Sequence, residues 1–107
     1  DKLTFFQSVT NSIEGVTVVK GESDFIFQGS KIKINTSGNP GMTVGGTGDC
    51  LAGLTSGLLA QGLNVFDSAS LATFLNGKAG DLAMDKYGYG FAASDLSEFI
   101  GKLMDGI

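Results

Sequence analysis

Gly38-Asn39-Pro40-Gly41-Met42-Thr43-Val44-Gly45-Gly46-Thr47-Gly48-Asp49 runs without a break into an apolar, helix-forming segment, Cys50 to Gln61. Five of those twelve residues are glycine. A glycine-rich loop feeding a helix leaves backbone N–H groups unpaired at the positive end of the helix dipole, where they attract phosphate. The chain has no Gly-x-x-x-x-Gly-Lys-Ser/Thr, so it is not a P-loop protein. It also lacks Gly-x-Gly-x-x-Gly, because position 51 is leucine. The expected anion site is therefore the loop itself: Gly45, Gly46, Thr47 and Gly48. Thr47 can add a hydroxyl donor, and Gly48 leaves room for a phosphoryl group. Asp49 sits at the junction with the helix and has two readings. It is a favoured N-cap residue. Alternatively, because a carboxylate repels an anion beside it, its presence there points to proton transfer from an attacking hydroxyl.

Working outward, residues 2 to 12 read as a poor helix, with Leu3, Phe6, Val9 and Ile13 loosely spaced. Val16 to Val19 is a β-branched run, expected as a buried strand. Phe25 to Gln28 and Lys31 to Ile34 flank Gly29-Ser30, a two-residue hairpin signal with alternating sides. After the loop comes a helix over about 50–61, with Leu51, Leu54 and Leu58 on one face and Gly62 as its stop. Asp67 or Ser68 is the expected cap of the next helix, whose apolar face is Leu71, Phe74, Leu75, Leu82 and Ala83. Gly77 and Gly80 each weaken that helix by roughly 1 kcal/mol relative to alanine, so they are expected to serve close packing or ligand approach. Gly53 and Gly57 are expected to let another backbone pack close. Tyr87 to Gly90 reads as a loop. Ser94 or Asp95 is expected to cap a last helix with Leu96, Phe99, Ile100 and Leu103 inward.

Composition narrows the function. The chain has 107 residues, 42% hydrophobic and 17% charged, which suits one globular domain. Net charge is −4 with no basic patch, which argues against nucleic-acid binding. The run Leu51 to Leu63 is broken by Thr55, Ser56 and Gln61 and is too short to span a bilayer, so no membrane partner is expected. A single cysteine cannot form an internal disulfide, and a reducing, cytoplasmic setting is expected. Histidine is absent, which removes Ser-His and Cys-His hydrolases and makes a zinc site improbable. Cys50 then has no base beside it and reads as a small packing residue. Glu14, Glu22, Asp24, Asp81 and Asp85 show no ligand spacing, so the metal ligands are unknown.

The loop followed by Leu51-Ala52-Gly53 resembles the signature of the NAD(P)H-hydrate dehydratases, within the ribokinase-like superfamily of small-molecule kinases. Gly46-Thr47-Gly48-Asp49 is the superfamily element, and the Gly38-Asn39-Pro40-Gly41-Met42 prefix narrows it to the dehydratases. Val19-Lys20-Gly21, Asn76 to Asp81 and Ala93-Ser94-Asp95-Leu96 agree in order. The resemblance covers about residues 13–104 and implies an α/β, ribokinase-like layered fold. Residues 1–107 would be the C-terminal portion of one nucleotide-binding catalytic domain: strand, β-hairpin, then three helices. It implies ADP- or ATP-dependent dehydration of hydrated NADH or NADPH, by phosphoryl transfer to the hydrate hydroxyl and elimination. Asp49 would be the base, in contact with substrate. Lys20, Gly21, Glu22, Ser23, Asp24 and Gly48 would bind the nucleotide, and the reaction type implies Mg2+. Asn76 falls where this family often carries histidine, which puts a hydrogen-bonding role there in question. A kinase of a small alcohol would use the same loop. A third reading is an inactive nucleotide-binding fragment, since the chain starts at Asp1. A homo-oligomer is expected, because uncovered strand edges and apolar faces invite pairing.

Overall fold

The computed structural model describes residues 2–10, 14–42 and 45–105. Ile13, Thr43 and Val44, named above, lie outside them. In chain order the elements are α1 (Lys2–Thr10), β1 (Thr17–Val19), β2 (Asp24–Gln28), β3 (Lys31–Asn35), α2 (Thr47–Ala60), α3 (Val65–Tyr87) and α4 (Leu96–Met104). Short 3-10 turns occupy Pro40–Met42, Gly88–Gly90 and Ala93–Asp95.

The sheet is antiparallel throughout, in the order β1-β2-β3, with Val18 opposite Ile26 and Phe27 opposite Ile32. Gly29 turns the hairpin at φ 57°, as a Gly-first two-residue turn requires. Side chains then alternate faces. Ile26 packs with Phe66 and Ala69 of α3. Phe25 stacks with Phe27 on the other face, and Phe6 of α1 lies 6.0 Å from Phe25. The three layers are therefore α1, sheet and α3. The expected buried strand is only half-buried: β1 is an edge strand.

α2 stops as its sequence predicts. Gly62 adopts φ 99°, its N–H bonds the Leu59 carbonyl (3.0 Å), and the Leu63 N–H bonds that of Leu58 (3.3 Å), which is a Schellman closure. The cap of α3 is a correction. Asn64, not Asp67 or Ser68, caps it, accepting from the Asp67 N–H at 2.8 Å and donating to the Asp67 carboxylate at 3.0 Å. The two short polar side chains satisfy each other, so the helix starts earlier than its acidic residue suggests.

The face of α3 is corrected too. Phe74 and Leu82 are exposed, and small residues form the buried side: Ala69, Ala72, Ala79 and Ala83, with Leu75. A helix packed on three sides selects small side chains over large apolar ones. Gly77 and Gly80 do serve close packing. A Cβ on Gly77 would come within 2.7 Å of the Ser37 carbonyl carbon, and one on Gly80 would collide with the Met42 side chain. For Gly53 and Gly57, by contrast, an added Cβ would meet nothing within 4 Å among the described residues, so no described backbone packs close there.

A second core joins α3 to α4 through Ala79, Ala83, Phe91, Leu96 and Phe99. Tyr87 is the last residue of α3 rather than part of a loop, and its hydroxyl donates to Glu98 at 2.9 Å. Asp95 stands at the N-cap of α4, as expected, but its side chain makes no cap hydrogen bond there: a 3-10 turn precedes the helix, and the Asp95 carboxylate accepts from the Ala92 N–H at 2.8 Å.

Candidate functional site

The glycine loop is strapped onto α3 by Asp81. Its carboxylate accepts from the Gly38 N–H (3.1 Å) and from the Asn39 amide (3.0 Å). Asn39 in turn accepts from the Gly41 N–H at 3.0 Å, and its carbonyl from the Met42 N–H at 3.0 Å, with Pro40 opening the 3-10 turn between them. Gly41 is a packing position: a Cβ there would lie 2.8 Å from the Phe91 ring. The Asn-Pro-Gly-Met run is thus a local turn held on α3 through Asn39.

α2 begins earlier than expected, at Thr47. Its cap is Gly46, left-handed at φ 97° and without a side-chain cap hydrogen bond. Any side chain at 46 would also press within 2.9 Å of the Ala93 Cβ, so glycine is needed on two counts. The Cys50 N–H closes on the Gly46 carbonyl at 3.1 Å. Gly48 and Asp49 fall in the first turn, where backbone N–H groups have no partner within the helix. Gly45 and Gly48 face open space.

Asp49 is the third helical residue, not the cap. Its carboxylate is exposed and makes no hydrogen bond or ion pair among the described residues. Thr47 uses its hydroxyl on the Met42 carbonyl at 2.9 Å, which ties loop to helix. Cys50 packs half-buried on the α3–α4 core, with its thiol 3.8 Å from the Ala93 carbonyl, as a packing residue should.

The Lys20–Asp24 turn joins β1 to β2. Asp24 is buried and collects three donors: Lys20 at 3.1 Å, the Gly21 N–H at 3.2 Å and the Asn35 amide at 3.0 Å. It is the internal anchor of the turn. Gly21 and Glu22 remain exposed, and Ser23 is half-buried. Asn35 also donates to the Thr73 carbonyl of α3 at 3.4 Å. Asn76, one turn along, donates to the Thr47 carbonyl at 3.3 Å. Turn and loop are therefore fixed to neighbouring turns of one helix.

A cleft of about 370 Å³ between β3 and α3 is lined by Lys33, Asn35, Asp67, Ser70 and Phe74, among others, and no described residue of the glycine loop borders it. Among the described residues, no three His, Cys, Asp or Glu side chains converge as a metal site. Asp24 and Asp81, considered as ligands above, are both held by internal donors. The structural roles of Asp81 and Asn35 were not legible in the sequence. Asp81 lies in the run Asn76 to Asp81 but reads there as a surface acid.

The sequence profile of the NAD(P)H-hydrate dehydratases matches residues 1–102. The chain belongs to the NAD(P)H-hydrate dehydratase family. It is 55% identical over 105 residues to the bifunctional NAD(P)H-hydrate repair enzyme Nnr of Methanothermobacter thermautotrophicus, covering 98% of this chain and 20% of that protein. It is 41% identical over 91 residues to the ADP-dependent (S)-NAD(P)H-hydrate dehydratase of Cenarchaeum symbiosum, covering 84% of this chain and 32% of that one. It superposes with a TM-score of 0.90 on the Bacillus subtilis ADP/ATP-dependent NAD(P)H-hydrate dehydratase crystallised with ATP/Mg2+, at 23% identity over 99% of this chain and 39% of that one. That likeness shows the shared fold, which is ribokinase-like. The chain spans between a fifth and a third of the two curated relatives. No described helix is long and apolar enough to cross a membrane.

Proposed function

We propose that this chain is the C-terminal portion of an ADP- or ATP-dependent dehydratase that restores NADH or NADPH from its hydrate. The observation that carries this reading is Asp49. It is exposed and unpartnered among the described residues, in the first turn of a helix whose neighbouring Gly48 has open space before it. A carboxylate that caps nothing and pairs with nothing is available to accept a proton.

In this reading the substrate is the hydrated nicotinamide ring. Asp49 takes the proton from the hydrate hydroxyl as its oxygen attacks the nucleotide's terminal phosphoryl group. The N–H groups of the Gly45–Gly48 segment hold that phosphoryl group and the charge that develops on it. The nucleotide leaves one phosphate shorter, and loss of inorganic phosphate from the ring together with a proton from the adjacent ring carbon then regenerates the dihydronicotinamide double bond. Lys20, Gly21, Glu22 and Ser23 line the nucleotide, and Asp24 shapes their turn from inside. The described carboxylates do not form a cation cage, so magnesium would be held chiefly through the nucleotide's phosphates. The single cysteine suits a reducing compartment, and we place the protein in the cytoplasm.

Asp49→Asn tests the reading. Asparagine cannot take the proton, so dehydration of hydrated NADH should fall at least about 100-fold. Stability should change by no more than about 1 kcal/mol, since an exposed first-turn acid contributes only through the helix dipole. Near wild-type turnover by the variant would remove Asp49 from the chemistry.

A further inference from the structure

Asn76 lies midway along α3, against the first turn of α2, and is only 2% exposed. Its Nδ2 donates to the Thr47 carbonyl at 3.3 Å. That carbonyl also receives the helical N–H of Leu51, four residues on. Chemistry sets the orientation of the Asn76 amide. Only its nitrogen can face a carbonyl; turned over, oxygen would meet oxygen. Its Oδ1 is therefore directed away from Thr47, and it is buried without a hydrogen-bond partner among the described residues. An open buried acceptor costs more than one long neutral hydrogen bond returns. A leucine of similar size would fill the space with no polar atom unmet. Asn76 is thus a poor choice for stability alone, at a point where α3 grips the start of the anion loop's helix.

We propose that Asn76 is a positioning residue for the anion site. Through the Thr47 carbonyl it fixes the first turn of α2, and with it the Gly48 N–H and the Asp49 carboxylate. The inference rests on the reading of Gly45–Asp49 as that site.

Asn76→Leu and Asn76→Asp in the 107-residue chain provide the test, with three readouts: thermal unfolding, amide hydrogen exchange along α2, and calorimetric titration with ADP. For Asn76→Leu the melting temperature should hold or rise. Exchange at the Leu51 amide should quicken about tenfold while that at Leu63 stays as it was, and ADP should bind about tenfold more weakly. Asn76→Asp keeps the shape but sets an anion against the carbonyl. It should shift the Gly48 and Asp49 amide resonances and weaken ADP further, more so at low salt. If leucine prevents folding, the aspartate variant carries the same readouts. An Asn76→Leu chain that melts, exchanges and binds like wild type within twofold would overturn the proposal. So would a fall in melting temperature that accounts for the whole loss of affinity, because the role would then be structural. If the wild-type chain binds no ADP, the anion-site reading fails separately, and Leu51 exchange still decides whether Asn76 holds the helix start.

Discussion

Asp81→Ala should be among the most damaging single changes outside the hydrophobic cores. The carboxylate accepts two donors, the Gly38 N–H and the Asn39 amide, at 3.1 and 3.0 Å. Each hydrogen bond to a charged group contributes about 1.5–3 kcal/mol. Gly38, Asn39 and Asp81 are all half-buried, so water can replace part of both bonds. The lower end of the range is appropriate, about 2–3 kcal/mol for the pair. For a domain near this size, 1 kcal/mol moves the melting temperature by about 4–8 °C, so the variant should melt roughly 10–20 °C lower. Asp81→Asn should lose about half as much. Its oxygen can still accept one donor, while its nitrogen faces the other. Thermal unfolding followed by circular dichroism measures all three chains. The loop that Asp81 straps also presents the Met42 carbonyl to Thr47, so ADP affinity should fall in the same order. If Asp81→Ala melts within about 2 °C of wild type, the loop is held by other contacts and the role given to this carboxylate is wrong.

Three further outcomes are expected. Gly48→Val should weaken ADP binding at least about tenfold by filling the open space before the first turn, whereas Cys50→Ser should leave it within about twofold; equal calorimetric affinities for the two would remove the loop as the anion site. The Lys86–Glu98 pair, at 2.6 Å, has a pH signature. Hydrogen bonding to Lys86, then to Tyr87, holds the Glu98 carboxyl below its ordinary 4.5, and hydrogen bonding to Glu98, then to Tyr87, holds Lys86 above its ordinary 10.5. The pair's contribution is therefore complete between those ordinary values. It is lost as pH falls through the lowered Glu98 value or rises through the raised Lys86 value. The difference in melting temperature between wild type and Glu98→Gln should be largest near neutrality and shrink at both extremes and in high salt; a flat difference across pH would count against the pair. Finally, Phe5, Val9, Ile34, Leu59 and Phe74 are exposed and β1 has an unpaired edge, so the chain should associate in solution. Light scattering that reads a clean monomer would refute this.

The elements with strong local chemistry were legible. Gly29-Ser30 announced the hairpin, Gly62 the end of α2, and the periodic apolar residues the three helices. The glycine loop announced the start of a helix, although the structure begins α2 at Thr47 rather than Cys50. What failed depended on partners distant in sequence. The large apolar residues of α3 suggested a face that the fold leaves exposed, because the opposite face must fit against Ser37 and Met42 and takes only alanine and glycine. Asp67 looked like a cap because nothing local ranks it against Asn64. Asp49 looked like one because the left-handed turn at Gly46 moved the start of the helix back by three residues. Asp81 read as a surface acid, since its two donors lie 43 and 42 residues away.

α3 can also be regarded as a ruler. The hairpin end is pinned at Thr73, α2 at Asn76, the glycine loop's strap at Asp81 and α4 at Lys86. At 1.5 Å per residue these marks stand about 4.5, 12 and 20 Å beyond the first. The tolerance for insertion and deletion is therefore uneven along the chain. Residues gained or lost in the exposed hairpin turn or between α2 and α3 would displace little. One residue added between Thr73 and Asn76 would rotate every later mark by about 100° and carry it 1.5 Å along the axis, so the Lys20–Asp24 turn and the glycine loop would no longer face each other. Length variants of this protein should therefore accumulate in its turns and be excluded from a single stretch of helix that contains none of the reacting groups.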